Sequence, residues 1–424
     1  MKLLLALGLN LALLVWLSGW LRQQAKSPAG AWLWPTLLLK LLATLASVLA
    51  LSADAAYFQL WAGRMNEQAW ANPLAWFRML PTDAFHFGPH HLVFHGLSNT
   101  LFLIKVLSGL NFASGGLVWL NAGYLSLFHF VGSWRLVQAL SRAFPGTPPA
   151  APVAALLLWP SCVYWTSGLT KESLLVGSAA WLTALVVEEL YPPAPAGRKS
   201  RLLAALGLAI LVFKMRFFFA VFLLTGLGTA VGIRVGQHLG FLRRRWAQML
   251  VLAAVVGVGS TLAGEVLPAF RANKFTSQLM RNYSELEAES RGRPHLEYPQ
   301  LKPTQASVAQ HAPVAVLNSL TRPWLGESRH WKYLAAGLEN LLLLGLLLTA
   351  LVAVARGRAG QLPFTLVMVL LFYCVVVAVL IGLTTPNLGT LNRYRTAFLP
   401  FLLLLLLQND YAAAWLRRLS WPRR

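Results

Sequence analysis

Acidic side chains are scarce in this chain: 14 Asp and Glu stand against 36 Lys and Arg among 424 residues. Only Asp54, Glu67 and Asp83 precede Lys171. Charged residues of both signs make up 12% of the chain and hydrophobic ones 57%, which excludes an ordinary soluble enzyme and indicates an integral membrane protein. The two cysteines, Cys162 and Cys374, lie in apolar runs, so no disulfide framework is expected. A GxxxxGKS phosphate loop, an HExxH helix and tandem repeats are also missing. The net charge of +22 would suggest a nucleic-acid partner in a soluble chain. In a membrane protein Lys and Arg collect in cytoplasmic loops, which accounts for the excess with no nucleic acid. The run 1–21 has no small-residue cleavage pattern and leads into a basic loop, so it is read as a retained span.

Apolar windows able to cross about 30 Å of hydrocarbon fall near 3–21, 31–52, 113–140, 151–166, 172–190, 202–216, 217–235, 247–265, 334–355, 362–383 and 396–408. The expected fold is therefore an all-α polytopic bundle of about eleven transmembrane helices, forming a single domain over 1–424. Arg22 and Lys26, Arg142, Arg198 to Arg201, Arg243 to Arg245, Arg356 and Arg358, and the basic 409–424 tail all fall on one side. The positive-inside rule makes that side cytoplasmic. The segments 53–112, 166–171, 266–333 and 384–395 then face outward. This is the layout expected of a multi-pass protein of the bacterial inner membrane.

Two outward segments are more than linkers. Residues 53–112 interleave Tyr57, Trp61, Trp70, Trp76 and Phe94 with Arg64, Arg78 and four histidines, which suits amphipathic helices lying in the membrane interface. Residues 266–333 are polar and read as a mobile or disordered loop able to cover a cavity.

Asp54 is the carboxylate nearest a membrane edge, in Leu51-Ser52-Ala53-Asp54-Ala55-Ala56-Tyr57-Phe58. Ionised groups at such boundaries are costly and are functional-site hypotheses by default. Three basic clusters on the same side break the charge pattern: Lys171 in Thr166-Ser167-Gly168-Leu169-Thr170-Lys171-Glu172, Arg216 in Lys214-Met215-Arg216, and Arg393 with Arg395 in Asn392-Arg393-Tyr394-Arg395. Arginine forks and a lysine point charge suit a phosphate or pyrophosphate. The alternative is snorkelling to lipid headgroups. Glu172 also fits the helix dipole at the start of its span. Tyr57, Glu172 and Tyr394 are substrate-contact candidates beside these groups. His91 and His95, four residues apart, would share a helical face, and with Asp83 they form a candidate divalent-metal set, although Gly88-Pro89 interrupts any helix there. Ser161 and Ser167 lack a sequence-positioned His–Asp pair, so serine hydrolysis is rejected.

Around Ser52-Ala53-Asp54-Ala55-Ala56-Tyr57-Phe58-Gln59-Leu60-Trp61, the chain resembles the GT-C superfamily of polyprenyl-phosphate-sugar-dependent glycosyltransferases. That class holds protein O-mannosyltransferases and lipid A aminoarabinose transferases. Trp159-Pro160-Ser161, the Ser167–Glu172 turn and Asn392-Arg393-Tyr394-Arg395 are similar to envelope glycosyltransferases. The resemblance covers most of the architecture but about thirty residues of motif. It implies inverting transfer to a glycan, lipid or protein, with Asp54 as general base or substrate anchor. Family members often carry paired acids here; this chain has Ala53 and Ala55 beside a lone Asp54, so a second acid would have to be Glu67 or Asp83, and any use of a divalent metal stays open. Where the family frequently has a soluble domain after its last span, only the 409–424 tail follows. Two rivals stay open: an O-antigen ligase or polysaccharide polymerase relying on the outward arginines, and a lipid flippase or transporter, for which Lys40 and Glu265 are the polar hints.

Overall fold

The computed structural model describes residues 1–94, 96, 98–191, 197–266 and 271–419. In chain order the first helices are α1 (Lys2–Ala25), α2 (Leu33–Leu49), α3 (Ala53–Ala71) and α4 (Pro73–Met79). A hairpin of β1 (Ala84–Phe87) and β2 (His90–Val93) follows, then α5 (Asn99–Ser114), α6 (Val118–Ala143), α7 (Ala150–Val153) and α8 (Pro160–Trp165). Next come α9 (Lys171–Leu190), α10 (Arg198–Met215), α11 (Phe217–His238) and α12 (Arg245–Val266). The chain continues through α13 (Ala272–Ala288), α14 (Gln305–Thr321), α15 (Trp331–Ala355), α16 (Phe364–Thr384), α17 (Leu388–Tyr394), α18 (Leu399–Leu407) and α19 (Asp410–Leu419).

This is a helical, multi-pass membrane protein. Among the described residues seven helices are long and apolar enough to cross a membrane, and two bent pairs, α5 with α6 and α18 with α19, bring the number to nine at most. The expected eleven is not confirmed among the described residues, and three of its windows fall short for local reasons. The 151–166 window is broken into α7, a π-helical turn at Ala154–Leu158, an extended Trp159 and the six-residue α8. The 202–216 window lies in α10, whose Arg198, Lys199, Arg201 and Lys214 dilute its apolar character. The last window contains α18, which is only nine residues long.

The chain divides into two compact units. The first comprises Met1–Arg142, Cys162–Leu185 and Pro195–Ala220. Its α3 buries Ala55, Phe58, Ala62, Met65 and Ala69, a 3.6-residue stripe that packs on α5. Ser52 caps α3 by accepting from the Ala55 amide, and Asn72 ends α3 and caps α4 through the Ala75 amide. At the corner between α5 and α6, Asn121 donates to Gln59 and Asn111, and Gln59 donates to the Gly116 carbonyl. The last of these satisfies a backbone carbonyl where the chain turns by 113°. Lower down, α6 and α9 touch backbone to backbone: a Cβ on Gly132 would sit 2.2 Å from the Gly177 carbonyl oxygen. Small residues at a crossing are how membrane helices approach closely.

The second unit comprises Ala143–Ser161, Val186–Ala194 and Val221–Arg424. Here α14 lies along α16, and a Cβ on Gly382 would meet the Ala315 carbonyl oxygen at 2.3 Å. Every residue of α18 is buried, under α16, α15, α7 and the π-helical turn.

The 266–333 segment is ordered rather than a loose loop over its described part. It forms α13 and α14, because Thr276, Leu279 and Tyr283 make an apolar stripe that α13 can bury. The strand-like His295 bridges to Asn387, and Leu296 N donates to the Pro386 carbonyl. The Tyr283 hydroxyl accepts from the Tyr298 amide and donates to Glu287. Burial pushes its phenol up to about 12, and Tyr298 is raised for the same reason.

Candidate functional site

Two helices of the first unit, α5 and α9, begin against one another, and α3 passes beside them. Lys171 is the first residue of α9, and its ammonium donates to Asn99 Oδ1 at 2.8 Å and Thr100 Oγ1 at 2.6 Å, the first two residues of α5. The same ammonium lies 5.2 Å from the centroid of the Phe58 ring, a cation–π contact. Phe58 stands four residues after Asp54, so the two share a face of α3, one turn apart. Lys171 is thereby brought within about a turn of the helix start that carries Asp54. The partial positive ends of α5 and α9 and the lysine charge add at this point, an arrangement that favours an anion.

The turn leading to Lys171 is fixed from several sides. Gly168 adopts φ +89°, and its amide donates to Ser126 Oγ; a Cβ there would strike Ser47 Oγ at 2.1 Å. Thr170 caps α9 by accepting from the Ser173 amide. Lys40, only 2% exposed within α2, donates to the Thr166 carbonyl at 2.5 Å and to its hydroxyl at 2.7 Å. A buried cation is thus used to hold the end of α8 just before the turn.

The other sequence candidates scatter. Tyr57 is beside Asp54 on α3, with its ring 6.3 Å from those of Phe58 and Trp61. Glu172 is buried in the first turn of α9. Arg216 ends α10, and its guanidinium stacks on Phe219. Glu67 is thirteen residues after Asp54 on the same helix, about 20 Å along its axis, and pairs with Arg64 at 3.2 Å on an exposed surface. Asp83 closes the hairpin by accepting from the Phe94 amide through its carbonyl.

The histidine reading needs correction. Residues 90–93 form a strand, so His91 has no helical face; it pairs across the hairpin with His86, the rings stacked at 5.8 Å. Gly88, at φ +57°, and Pro89 make the two-residue turn that the strands require. His95 lies outside the described residues. Among the described residues no three His, Cys, Asp or Glu side chains group closely enough to hold a metal.

In the second unit, Arg393 and Tyr394 end α17, and Arg395 follows, 1% exposed. Arg395 donates to Asn340 and lies 3.7 Å from the Glu339 carboxylate. Glu339 also accepts from the Ser161 hydroxyl at 2.5 Å and the Ser161 amide at 3.2 Å. Asn340 passes the network on, donating to the carbonyls of Thr321 and Pro323. Sequence reasoning missed Glu339 and Asn340, although a Glu-Asn pair inside the apolar run of α15 is the signal that intramembrane acids give.

Comparison with protein-family models, with curated proteins and with solved structures gave no match.

Proposed function

We propose that this protein is a glycosyltransferase that takes a sugar from a polyprenyl phosphate and passes it to an envelope glycan, lipid or protein. The site would face outward from a bacterial inner membrane. The supporting observation is the Lys171 ammonium held by Asn99 and Thr100 against Phe58, one turn from Asp54. A lipid carrier keeps its chain in the bilayer and its phosphate at the surface, where two helix starts and a lysine would stabilise negative charge. Asp54, exposed at the start of α3, is the base for the acceptor hydroxyl. As the acceptor oxygen bonds to the anomeric carbon, its proton passes to Asp54 and the lipid phosphate leaves toward Lys171. Arg216 is a further phosphate ligand candidate in the same unit.

Asp54→Asn tests the reading directly. The variant should insert at wild-type abundance and lose about 10²–10⁴-fold of transfer, read as envelope glycan labelled from a radioactive lipid-linked sugar. Unchanged labelling would remove Asp54 from the mechanism.

A ligase or polymerase acting on a lipid pyrophosphate is the second reading, for which Arg393 at the end of α17 is the candidate ligand, since Arg395 is buried against Glu339. It predicts the opposite pattern: activity surviving Asp54→Asn and failing in Arg393→Ala. The flippase reading is weaker, because Lys40 has a holding role at Thr166.

A further inference from the structure

In the second unit, the end of α15 and the helix α19 gather basic and aromatic side chains at one place. The apolar span α15 stops at Ala355, so Arg356 and Arg358 stand just past it, at the depth where lipid headgroups lie. Both are exposed, and both contact the same side chain. Arg356 Nη1 donates to the Tyr411 hydroxyl at 3.3 Å. The Arg358 guanidinium lies 5.7 Å from the centroid of the Tyr411 ring, a cation–π contact. Among the described residues neither guanidinium pairs with a carboxylate. Two like charges gathered on one phenol repel each other, and an anion within reach of both offsets that repulsion.

The surroundings say which anion. Tyr411, Trp415 and Arg418 recur at i, i+4 and i+7, along one face of α19, while Ala412, Ala413 and Leu416 are buried. Trp415 is 58% exposed, and α19 turns 88° away from α18. Tyrosine, tryptophan and arginine on one face are the residues that anchor a helix at the membrane–water interface. On the bilayer side, Leu348 and Val352 stand eight and four residues before Arg356, on its face of α15, and both are exposed. Apolar surface ending at a pair of arginines matches an amphiphile with an anionic head.

We propose that this surface binds an anionic glycerophospholipid. Its acyl chains lie against Leu348 and Val352, and its phosphate is held by Arg356 and Arg358. Tyr411 accepts from Arg356, so its own hydroxyl proton is left to donate to a phosphate oxygen. Arg418 extends the positive charge along α19. Phosphatidylcholine offers the same phosphate with a cation attached, which the arginines repel, so the site discriminates by net charge. This binding is independent of the glycosyl-transfer reading.

The test titrates full-length protein in detergent micelles with phosphatidylglycerol brominated on its acyl chains, since bromine quenches a nearby tryptophan. The Trp415 signal is the wild-type quenching minus that of Trp415→Phe. Brominated phosphatidylglycerol should quench Trp415 at a concentration about 25-fold lower than brominated phosphatidylcholine, about fivefold from each arginine. Arg356→Gln and Arg358→Gln should each remove about fivefold of that preference, and the double variant should take up the two lipids nearly alike. Lysine at both positions keeps the charge and should retain at least about fivefold, which separates lost binding from a disturbed fold. A lysine pair no better than the glutamine pair overturns the proposal. Equal quenching of the wild type by the two lipids does so as well. Displacement of the brominated lipid by inorganic phosphate at constant ionic strength would also overturn it, by showing a site for a soluble anion.

Discussion

Lys171 Nζ donates to Oδ1 of Asn99 at 2.8 Å, and this bond ties the first residue of one helix to the first residue of another. The contact does two things. It orders a flexible four-carbon chain before any ligand arrives, and it fixes the charge where two helix dipoles point. If the proposed glycosyl transfer is its activity, Lys171→Met should lower it by about 100-fold or more, with membrane abundance unchanged. Lys171→Arg should recover less than about a tenth of that loss, because a planar fork does not fit the cradle of Asn99 and Thr100. Equal activity in Lys171→Met would show that the charge does not contact the donor.

The pair formed by Glu339 and Arg395 should behave as a coupled unit. Removing one partner leaves a buried charge uncompensated, so Glu339→Gln and Arg395→Met should each cost about 3–5 kcal/mol. The double variant should lose clearly less than the sum, because neither charge is then left behind. Thermal unfolding of the detergent-purified protein, followed by the loss of monodisperse material, reads the three values. Strict additivity would mean that the two groups do not interact.

At the crossing of α6 and α9, Gly132→Ala should destabilise by about 1–3 kcal/mol, since its methyl would overlap the Gly177 carbonyl. Gly207→Ala in α10, where a Cβ meets nothing within 4 Å, is the matched control and should be neutral or slightly stabilising. Comparing the two melting temperatures separates close approach from helix propensity.

Stability at alkaline pH should reflect Tyr283. Its phenol is raised in the folded protein to about 12, chiefly by burial, above an ordinary value of 10.0. The folded state then holds the proton more tightly than the unfolded state. The stabilisation is fully present below pH of about 10 and is lost as pH climbs from about 10 to about 12. Tyr298 is also raised, chiefly by burial, and acts in the same direction. Ultraviolet titration of phenolate in wild type minus Tyr283→Phe should show this late step. A difference spectrum centred near pH 10 would contradict it.

Composition and hydropathy were enough to read a helical membrane protein, because burying so much apolar surface leaves little choice of solvent. The number of spans was not readable, because a hydropathy window cannot see a π-helical turn at 154–158 or separate a nine-residue buried helix from a longer crossing. At the site, Lys171 was conspicuous as a charge on the wrong side. Its partners Asn99 and Thr100 were not, since ordinary polar residues at a helix start also read as caps. Glu339 was lost in the average of a strongly apolar helix. The hairpin at 84–93 is signalled by Gly88-Pro89 between two aromatic and branched runs, which interrupts a helix but does not by itself specify that the flanking runs pair as strands.

The burial of α18 bears on how the protein is made. Nine residues of helix extend about 14 Å, less than half of the roughly 30 Å hydrocarbon layer. Such a segment cannot settle as an independent span when it leaves the ribosome. It reaches its place only after α15 and α16 are in the bilayer and can enclose it, so the second unit is finished by assembly between helices after their insertion. Variants that weaken that enclosure should therefore reduce yield during synthesis more than they shorten the lifetime of the mature protein.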